Sequence, residues 1–221
     1  MPRIARIVAS GHPHHITQRG NYKQTIFTSD DDYKTYLKHL REYIGKYGLS
    51  ILAYCLMPNH VHFVAIPDNA NSLSKTFNAS HMRYAHYFNK KSNITGHLWQ
   101  GRFYSCILDE KHLYAAIQYI ENNPVRAKLV KKAWDWEWSS ARKHVFKERN
   151  DILPLTDVSE FLEIHDWKDY LCETEGQVTM ENIRKNTLTG RPLGSDAFIT
   201  KLEKLFGQRL KALARGRPKE R

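Results

Sequence analysis

The spacing of apolar residues in the first fifty positions predicts one strand followed by one long helix. Residues 14–19 (HHITQR) have the length and pattern of a short strand. Ser29 is a good N-cap, and three aspartates at 30–32 give the helix that follows an acidic first turn. Aromatic and aliphatic side chains then recur at helical spacing until Gly48 supplies a stop. We therefore expect an amphipathic helix that ends at Gly48.

The next eighty residues alternate between strand-like and helical patterns. Two β-rich runs, 50–56 and 60–66, flank a Met-Pro-Asn turn and predict a hairpin. The spacing then predicts a helix from about Ser72 to Asn89, a strand at 103–108, and a helix from Glu110 to Asn123 that Pro124 ends. The order β-α-β-β-α-β-α predicts an α+β fold, in which an antiparallel sheet carries helices on one face.

The pattern becomes weaker towards the C-terminus. A short helix around 157–172 and a second one at 195–206, which starts at Ser195 and stops at Gly207, are the elements that the spacing predicts there. We therefore expect a main domain at 1–145, a small helical accessory region at 146–208 and a basic tail at 209–221.

Charge is distributed unevenly along these segments. The formal net charge is +11. Residues 1–145 hold 20 Lys/Arg against 10 Asp/Glu, residues 146–208 hold 8 against 12, and the last 13 residues hold 6 against 1. This segregation favours a domain that binds a polyanion such as nucleic acid, although a basic bias that serves solubility is the alternative.

Compartment and cysteine use are ordinary. The chain has no run of 18 apolar residues and no signal-peptide pattern at its N-terminus, so we expect a cytoplasmic protein without a membrane partner. Its three cysteines have no CxxC spacing, which argues against a disulfide framework or a zinc knuckle.

His60 and His62 form the first candidate chemical group. Side chains at i and i+2 of a strand project from the same face, so the two imidazoles can share a divalent cation while Val61 and Phe63 pack on the other face. Nitrogen donors suit Mn²⁺ or Zn²⁺, and Mg²⁺ accepts them together with additional oxygens. In a chain with 12 histidines, a structural or solvent-exposed pair is the alternative.

Tyr119 is the candidate nucleophile. Leu113, Ala116, Ile117 and Ile120 share one arc of the predicted helix and should face the core. Tyr119 and Asn123 are four residues apart at the margin of that arc, so the phenol should lie near the sheet without entering the core. A phenol is a weak nucleophile at neutral pH unless a cation or a base assists it. A packing tyrosine is the equal alternative.

Several segments together resemble one family. They are LMPNHVHFVAIP at 56–67, GHLWQGRF at 96–103 and YIENNPVRAKLV at 119–130, with HHITQRGN at 14–21, WEWSSARKH at 136–144, GRPLGS at 190–195 and RGRPK at 215–219. In this order and spacing they resemble the REP-associated tyrosine transposases, which are relatives of insertion-sequence transposases with one catalytic tyrosine. The resemblance implies a ferredoxin-like HUH endonuclease domain.

The resemblance also implies a function and its residues. His60 and His62 match the metal-binding histidine pair, Tyr119 the nucleophile, and Asn123 the polar residue that completes the metal site. The implied activity is cleavage and transfer of single-stranded DNA at palindromic or hairpin sequences, with Mg²⁺ or Mn²⁺ and a 5′-phosphotyrosine intermediate, by a monomer or homodimer. The alternative is a catalytically retired regulator that only binds repeated palindromes.

Further residues are candidates for contact with DNA. Trp99 can stack on an unpaired base or serve as a core anchor, while Arg102 and Arg126 can bind phosphate. In the tail, Arg215 and Arg217 can enter a narrow minor groove, or simply be solvated. Three histidines near the first strand, His12, His14 and His15, are interpreted as structural.

Overall fold

The computed structural model describes residues 6–148, 152–174 and 176–211. Within these residues the chain forms four strands, eight α-helices and short 3₁₀ turns. The strands are β1 (His14–Arg19), β2 (Leu49–Met57), β3 (His60–Pro67) and β4 (Tyr104–Ile107). The helices are α1 (Asp30–Tyr47), α2 (Ser72–Ser92), α3 (Glu110–Glu121), α4 (Asn123–Arg126), α5 (Ala141–Phe146), α6 (Trp167–Cys172), α7 (Gln177–Thr189) and α8 (Asp196–Phe206).

The four strands form one antiparallel sheet in the order β2-β3-β1-β4. With α1 between β1 and β2, and α2 between β3 and β4, this is the ferredoxin-like topology that we expected. In the register of β1 and β3, Arg19 pairs with His60 and Thr17 pairs with His62. Paired residues share a face, so the odd-numbered positions of β1 lie beside the two histidines of β3.

Helices cover both faces of this sheet. Val61, Phe63 and Ala65 belong to the core cluster that α1 and α2 complete. Val64 and Ile66 belong to a second cluster, which contains residues of α3 and α7. The expectation of helices on one face is therefore wrong. The physical reason is that β2 and β3 are buried along nearly their whole length, and strands that are apolar on both faces need two covering layers.

The start of α1 follows its sequence signals and also ties α1 to α2. Ser29 is the N-cap, and the Asp32 carboxylate accepts hydrogen bonds from the Ser29 backbone N–H (3.1 Å), the Tyr87 hydroxyl (2.9 Å) and Lys91 Nζ (2.6 Å). The helix ends at Gly48, which has the left-handed φ of 63°. The N-cap, the acidic first turn and the stop are thus confirmed.

The C-terminal region departs further from expectation. The helix predicted at 157–172 is a 3₁₀ turn (Val158–Glu160) followed by α6, and α7 was not predicted. The last predicted helix is confirmed as α8, with the Ser195 hydroxyl accepting the Phe198 N–H at 3.2 Å. Within the described residues, no helix combines the length and apolar character that a membrane span requires.

Candidate active site

Helix α3 carries Tyr119 and fixes its direction. The Asp109 side chain caps the helix by accepting the His112 N–H at 3.0 Å. The four residues predicted for its core face are buried, as expected: Leu113, Ala116, Ile117 and Ile120. Tyr119 itself is only 5% exposed, so the expectation that it stays outside the core is wrong. The cause is α7, which packs on α3 and covers the margin where Tyr119 lies.

Asn123 reaches the site from a separate helical turn. Helix α3 ends at Glu121, and Asn123 is the first residue of α4, so the single helix that we expected from 110 to 123 is interrupted. Pro124 lies in the first turn of α4 and does not end α3. Proline is tolerated there because the backbone N–H groups of a first helical turn have no acceptor within the helix. Asn123 Nδ2 still lies 3.2 Å from His60 Nε2.

The two histidines of β3 face α3, while Val61 and Phe63 are buried on the other face, as the alternation predicts. The ring centroids of His60 and His62 lie 5.0 Å apart, with the planes nearly perpendicular. The Tyr119 ring meets His62 edge-on, at a centroid distance of 5.8 Å. The fold therefore brings His60, His62, Tyr119 and Asn123 together within one chain.

A chain of hydrogen bonds from α7 determines which nitrogen of His62 carries the proton. The Thr187 hydroxyl contacts the Ile183 carbonyl (2.7 Å), His15 Nδ1 (2.7 Å) and Cys106 Sγ (3.2 Å). With its hydrogen donated to the Ile183 carbonyl, the Thr187 oxygen accepts from His15 Nδ1–H. His15 Nε2 then holds a lone pair and accepts from His62 Nδ1–H at 2.9 Å. The lone pair of neutral His62 is therefore on Nε2.

His60 has the same tautomer for a simpler reason. The Asn59 side-chain oxygen lies 2.6 Å from His60 Nδ1. Because an amide oxygen only accepts, Nδ1 carries the hydrogen and Nε2 holds the lone pair. Nε2 is also the atom beside Asn123.

Burial keeps these imidazoles neutral. It lowers the pKa of His60 to about 3, with a further contribution from Arg19 and Arg126, and it lowers the pKa of His15 to about 3. Burial also lowers the pKa of His62 well below its ordinary value, and the neighbouring histidines add to the shift. Neutral imidazole is the form that binds a metal ion.

The donor set fits a divalent cation that accepts nitrogen and oxygen ligands. The two imidazole Nε2 atoms and the amide of Asn123 lie at one place, with Asn123 Nδ2–H donating to His60 Nε2. A cation would replace this hydrogen bond and take the amide oxygen in its place. Across the residues that the structure describes, no group of three or more His, Cys, Asp or Glu side chains is arranged to hold a metal ion. The candidate site differs from such groups because its third donor is an amide, a ligand type compatible with Mn²⁺ or Mg²⁺.

Two arginines contact Tyr119, and a third lies beside His60 in the sheet. The Arg126 guanidinium lies 4.3 Å from the centroid of the Tyr119 ring and donates to the Tyr119 backbone carbonyl. Arg184 Nε, from α7, donates to the Tyr119 hydroxyl at 3.1 Å. Arg19 pairs in register with His60. Of these, Arg126 was a candidate for DNA contact, and its position beside Tyr119 is compatible with binding phosphate.

Four residues of this site escaped the sequence-based prediction: His15, Arg19, Arg184 and Thr187. Strand alternation places His15 and Arg19 on one face of β1, but their proximity to His62 and His60 depends on the register. Nothing in the local sequence signals the roles of Arg184 and Thr187.

The remaining DNA-contact candidates have different surroundings. Trp99 packs on His81 at a centroid distance of 4.6 Å and donates its indole N–H to the His81 carbonyl (2.9 Å), within the cluster of α1 and α2. This packing favours the core-anchor alternative for Trp99. Arg102 is exposed and stays a prediction. Arg215 and Arg217 lie outside the described residues.

Comparison with known proteins identifies the family. The family model described as "Transposase IS200 like" matches residues 9–123. The chain is 29% identical over 153 residues to a candidate REP-associated tyrosine transposase of Haemophilus influenzae, which covers 60% of this chain and 86% of that protein. It is 26% identical over 113 residues to the REP-associated tyrosine transposase of Escherichia coli strain K12, covering 50% of this chain and 66% of that protein.

A solved structure has the same fold. It is that of a REP-associated tyrosine transposase, which is 21% identical, with a TM-score of 0.54 and coverage of 74% of this chain and 99% of that chain. The resemblance that the motifs suggested is thereby confirmed, and the chain belongs to the IS200-like transposase family.

Proposed function

We propose that this chain is a metal-dependent nuclease and strand transferase that cuts and rejoins single-stranded DNA at palindromic or hairpin sequences. The observation that carries the proposal is the contact between the Tyr119 ring and the imidazole pair of β3 within one chain. Membership of a transposase family supports it. Binding alone would not require a phenol beside two neutral imidazoles.

Tyr119 serves as the nucleophile in this proposal. Its oxygen attacks a DNA phosphorus and its proton passes to solvent, while the bond from phosphorus to the 3′ oxygen breaks and the 3′ oxygen takes up a proton. The products are a 5′-phosphotyrosine and a free 3′-OH. Because the phosphodiester energy is retained in the tyrosine ester, attack by another 3′-OH rejoins the strand.

The β3 histidines and Asn123 would hold the cation. His60 and His62 would offer their Nε2 atoms, and the Asn123 amide, whose Nδ2–H donates to His60 Nε2, would turn its oxygen towards the cation. Asn59 and His15 hydrogen-bond the opposite nitrogens and orient both rings, as outer residues do in metal sites. When bound, Mg²⁺ or Mn²⁺ polarises the scissile phosphate.

Positive charge and a relative support the substrate class. Arg19, Arg126 and Arg184 lie around the phenol and the imidazoles, where a phosphate backbone would need counter-charges. The net charge of +11 is concentrated in residues 1–145 and in the last 13 residues. The REP-associated tyrosine transposase of the same fold was solved bound to a REP hairpin.

Replacement of the nucleophile tests the proposal. Wild type, Tyr119→Phe and Tyr114→Phe are incubated with a labelled hairpin-bearing single strand and Mn²⁺, and covalent adducts are separated on denaturing gels. Tyr114 is the matched control because it lies on the same helix, with its hydroxyl near Glu173. We expect adducts with wild type and Tyr114→Phe, no adduct with Tyr119→Phe, and a loss of adduct on chelation.

Two outcomes decide against the proposal in different ways. An adduct that survives Tyr119→Phe, with the modified residue mapped by mass spectrometry, removes Tyr119 from its role. Tight hairpin binding by the wild type without any adduct, in Mn²⁺ and in Mg²⁺, identifies a regulator that only binds DNA.

A further inference from the structure

We propose that Arg184, on α7, is a further catalytic residue that stabilises negative charge on the Tyr119 oxygen. The inference rests on the proposed function, in which Tyr119 is the nucleophile. It assigns chemistry to the C-terminal region, since α7 (residues 177–189) lies beyond the segment 9–123 that matches the family model.

The geometry places a permanent cation at the reacting atom. Arg184 Nε–H donates to the Tyr119 hydroxyl at 3.1 Å, and the guanidinium carbon lies 5.5 Å from the ring centroid. An arginine stays charged at every pH at which the protein is folded. The bond is therefore available in both protonation states of the phenol, and it strengthens as the oxygen becomes negative.

Buried neighbours fix the position of Arg184. Ile183 is 0% exposed and Thr187 is 1% exposed, and both lie in the layer that α7 forms over the sheet. Ile183 directly precedes Arg184 in α7, and Thr187 follows it three residues later. Because helical residues at this spacing move together, the anchoring of α7 determines where the guanidinium stands relative to Tyr119.

The charge that Arg184 meets appears in both directions of the reaction. In cleavage, the phenol loses its proton to solvent while its oxygen bonds to phosphorus. In rejoining, a 3′ oxygen attacks the phosphotyrosine, the bond from phosphorus to the tyrosine oxygen breaks, and the electron pair stays on that oxygen until solvent protonates it. A donor aimed at this oxygen lowers both barriers, because it favours the oxygen while it carries charge.

Arg126 has a different task. It donates to the Tyr119 backbone carbonyl and lies over the ring, so its contacts position the residue and do not address the oxygen. Loss of Arg126 should disturb where Tyr119 stands, whereas loss of Arg184 should change how readily the oxygen accepts charge.

Rates of the two half-reactions test the inference. Single-turnover cleavage of a labelled hairpin strand, and rejoining from the isolated adduct with an added 3′-OH strand, are measured for wild type, Arg184→Ala, Arg184→Gln and Arg184→Lys. Lys185→Ala is the matched control, because Lys185 is the exposed next residue on the same helix. Binding of the same hairpin is measured in parallel.

Arg184 is an exposed residue, so solvent screens part of its interaction with the Tyr119 oxygen, and the expected effect is roughly 3- to 10-fold in rate. We expect Arg184→Ala and Arg184→Gln to slow both half-reactions by this factor, with Arg184→Lys in between and Lys185→Ala unchanged. Partial recovery of both rates in Arg184→Lys, which keeps the positive charge, is the readout that a residue with a merely structural role would not give.

The outcomes separate this inference from the proposal on which it rests. Wild-type or faster rates in both Arg184→Ala and Arg184→Gln, with adducts that still require Tyr119, overturn the role of Arg184 and leave the nucleophile in place. Equal slowing of both rates in Arg184→Ala, Arg184→Gln and Arg184→Lys, together with weaker hairpin binding, also overturns it, because a loss of positioning alone then explains the defect. An adduct formed by Tyr119→Phe contradicts the proposed function itself.

Discussion

Replacing Thr187 with valine should weaken metal binding at a site that Thr187 does not touch. The substitution keeps the shape of a residue that is 1% exposed and removes the hydroxyl, which accepts from His15 Nδ1–H, donates to the Ile183 carbonyl and contacts Cys106 Sγ. His15 in turn accepts from His62, one of the two candidate metal ligands. We expect the affinity for Mn²⁺ to fall roughly 10- to 100-fold, the range typical of lost outer-shell partners.

The magnitude follows from the two ways in which the variant can respond. If His15 keeps its proton on Nδ1, a buried donor is left unpaired, which costs about 1–3 kcal/mol. If the proton moves to Nε2, that atom no longer accepts from His62, and His62 must carry its own proton on Nε2, where a cation would bind. Metal binding then requires the strained tautomer to be restored, so the same free energy is lost from affinity.

Isothermal titration with Mn²⁺ and urea unfolding of the metal-free protein measure the two parts. Thr189→Val is the matched control, because the exposed Thr189 hydroxyl donates to the Lys185 carbonyl on the same helix without meeting a histidine. The control should match wild type in both measurements. If Thr187→Val keeps both the wild-type Mn²⁺ affinity and the wild-type unfolding free energy, the hydrogen-bond chain does not set the His62 tautomer.

Two further predictions concern stability away from the candidate site. Burial lowers the pKa of His81 from 6.5 to about 3. Below pH 6.5 the unfolded state therefore binds a proton that the folded state does not, and the free energy of unfolding decreases as the pH is lowered. In His81→Gln, the loss of unfolding free energy between pH 7.5 and pH 5 should be about 2 kcal/mol smaller than in wild type, and an equal loss would show that His81 is protonated in the fold. For Asp32, burial raises the pKa but hydrogen bonds from Lys91 and Thr28 outweigh it, giving a pKa of about 2. Asp32→Asn should therefore cost about 2 kcal/mol at pH 7.5 in urea unfolding, while Asp31→Asn, exposed in the same turn, should leave the midpoint unchanged.

Local periodicity was sufficient for the part of the fold that carries the imidazoles. Strand alternation puts His60 and His62 on one face and Phe63 on the other, whatever the sheet around them, because it is a property of the extended backbone. The boundaries of α1 were equally local, since Ser29 and Gly48 act within one turn of the helix ends. These elements needed no knowledge of distant contacts.

Helix α7 could not be predicted because its local signals are weak. Its N-cap is Gly176, which has no side chain to accept an N–H, and its buried residues are Ile183 and Thr187. Two of its apolar residues, Val178 and Leu188, are 72% and 60% exposed, so no continuous apolar stripe marks the helix. Tertiary packing on α3 and on β4, which is invisible in the local sequence, stabilises it.

The role of His15 depended on strand register. Alternation along β1 leaves two possible faces for His15, and a shift of one residue in the pairing with β3 would move it to the opposite face. The observed register pairs His15 with Val64, which places its ring diagonally beside His62 on the side of α3. Interpreting His15 as purely structural missed this contact, because register is a property of two strands and not of one.

The polar residues of α7 indicate that this helix is a component of the site as well as a cover for the core. Apolar side chains would be enough to bury the sheet face, yet Thr187 is buried and hydrogen-bonded to His15, and Arg184 is bonded to the Tyr119 hydroxyl. A buried hydroxyl costs stability unless it is paired, so its pairing with a histidine that orients a candidate metal ligand ties the folding of α7 to that ligand. Local unfolding of α7 would release the phenol and the His15–His62 pair together. The candidate nucleophile and the candidate metal-binding imidazoles come from separate parts of the chain, and the packing of α7 holds both in place.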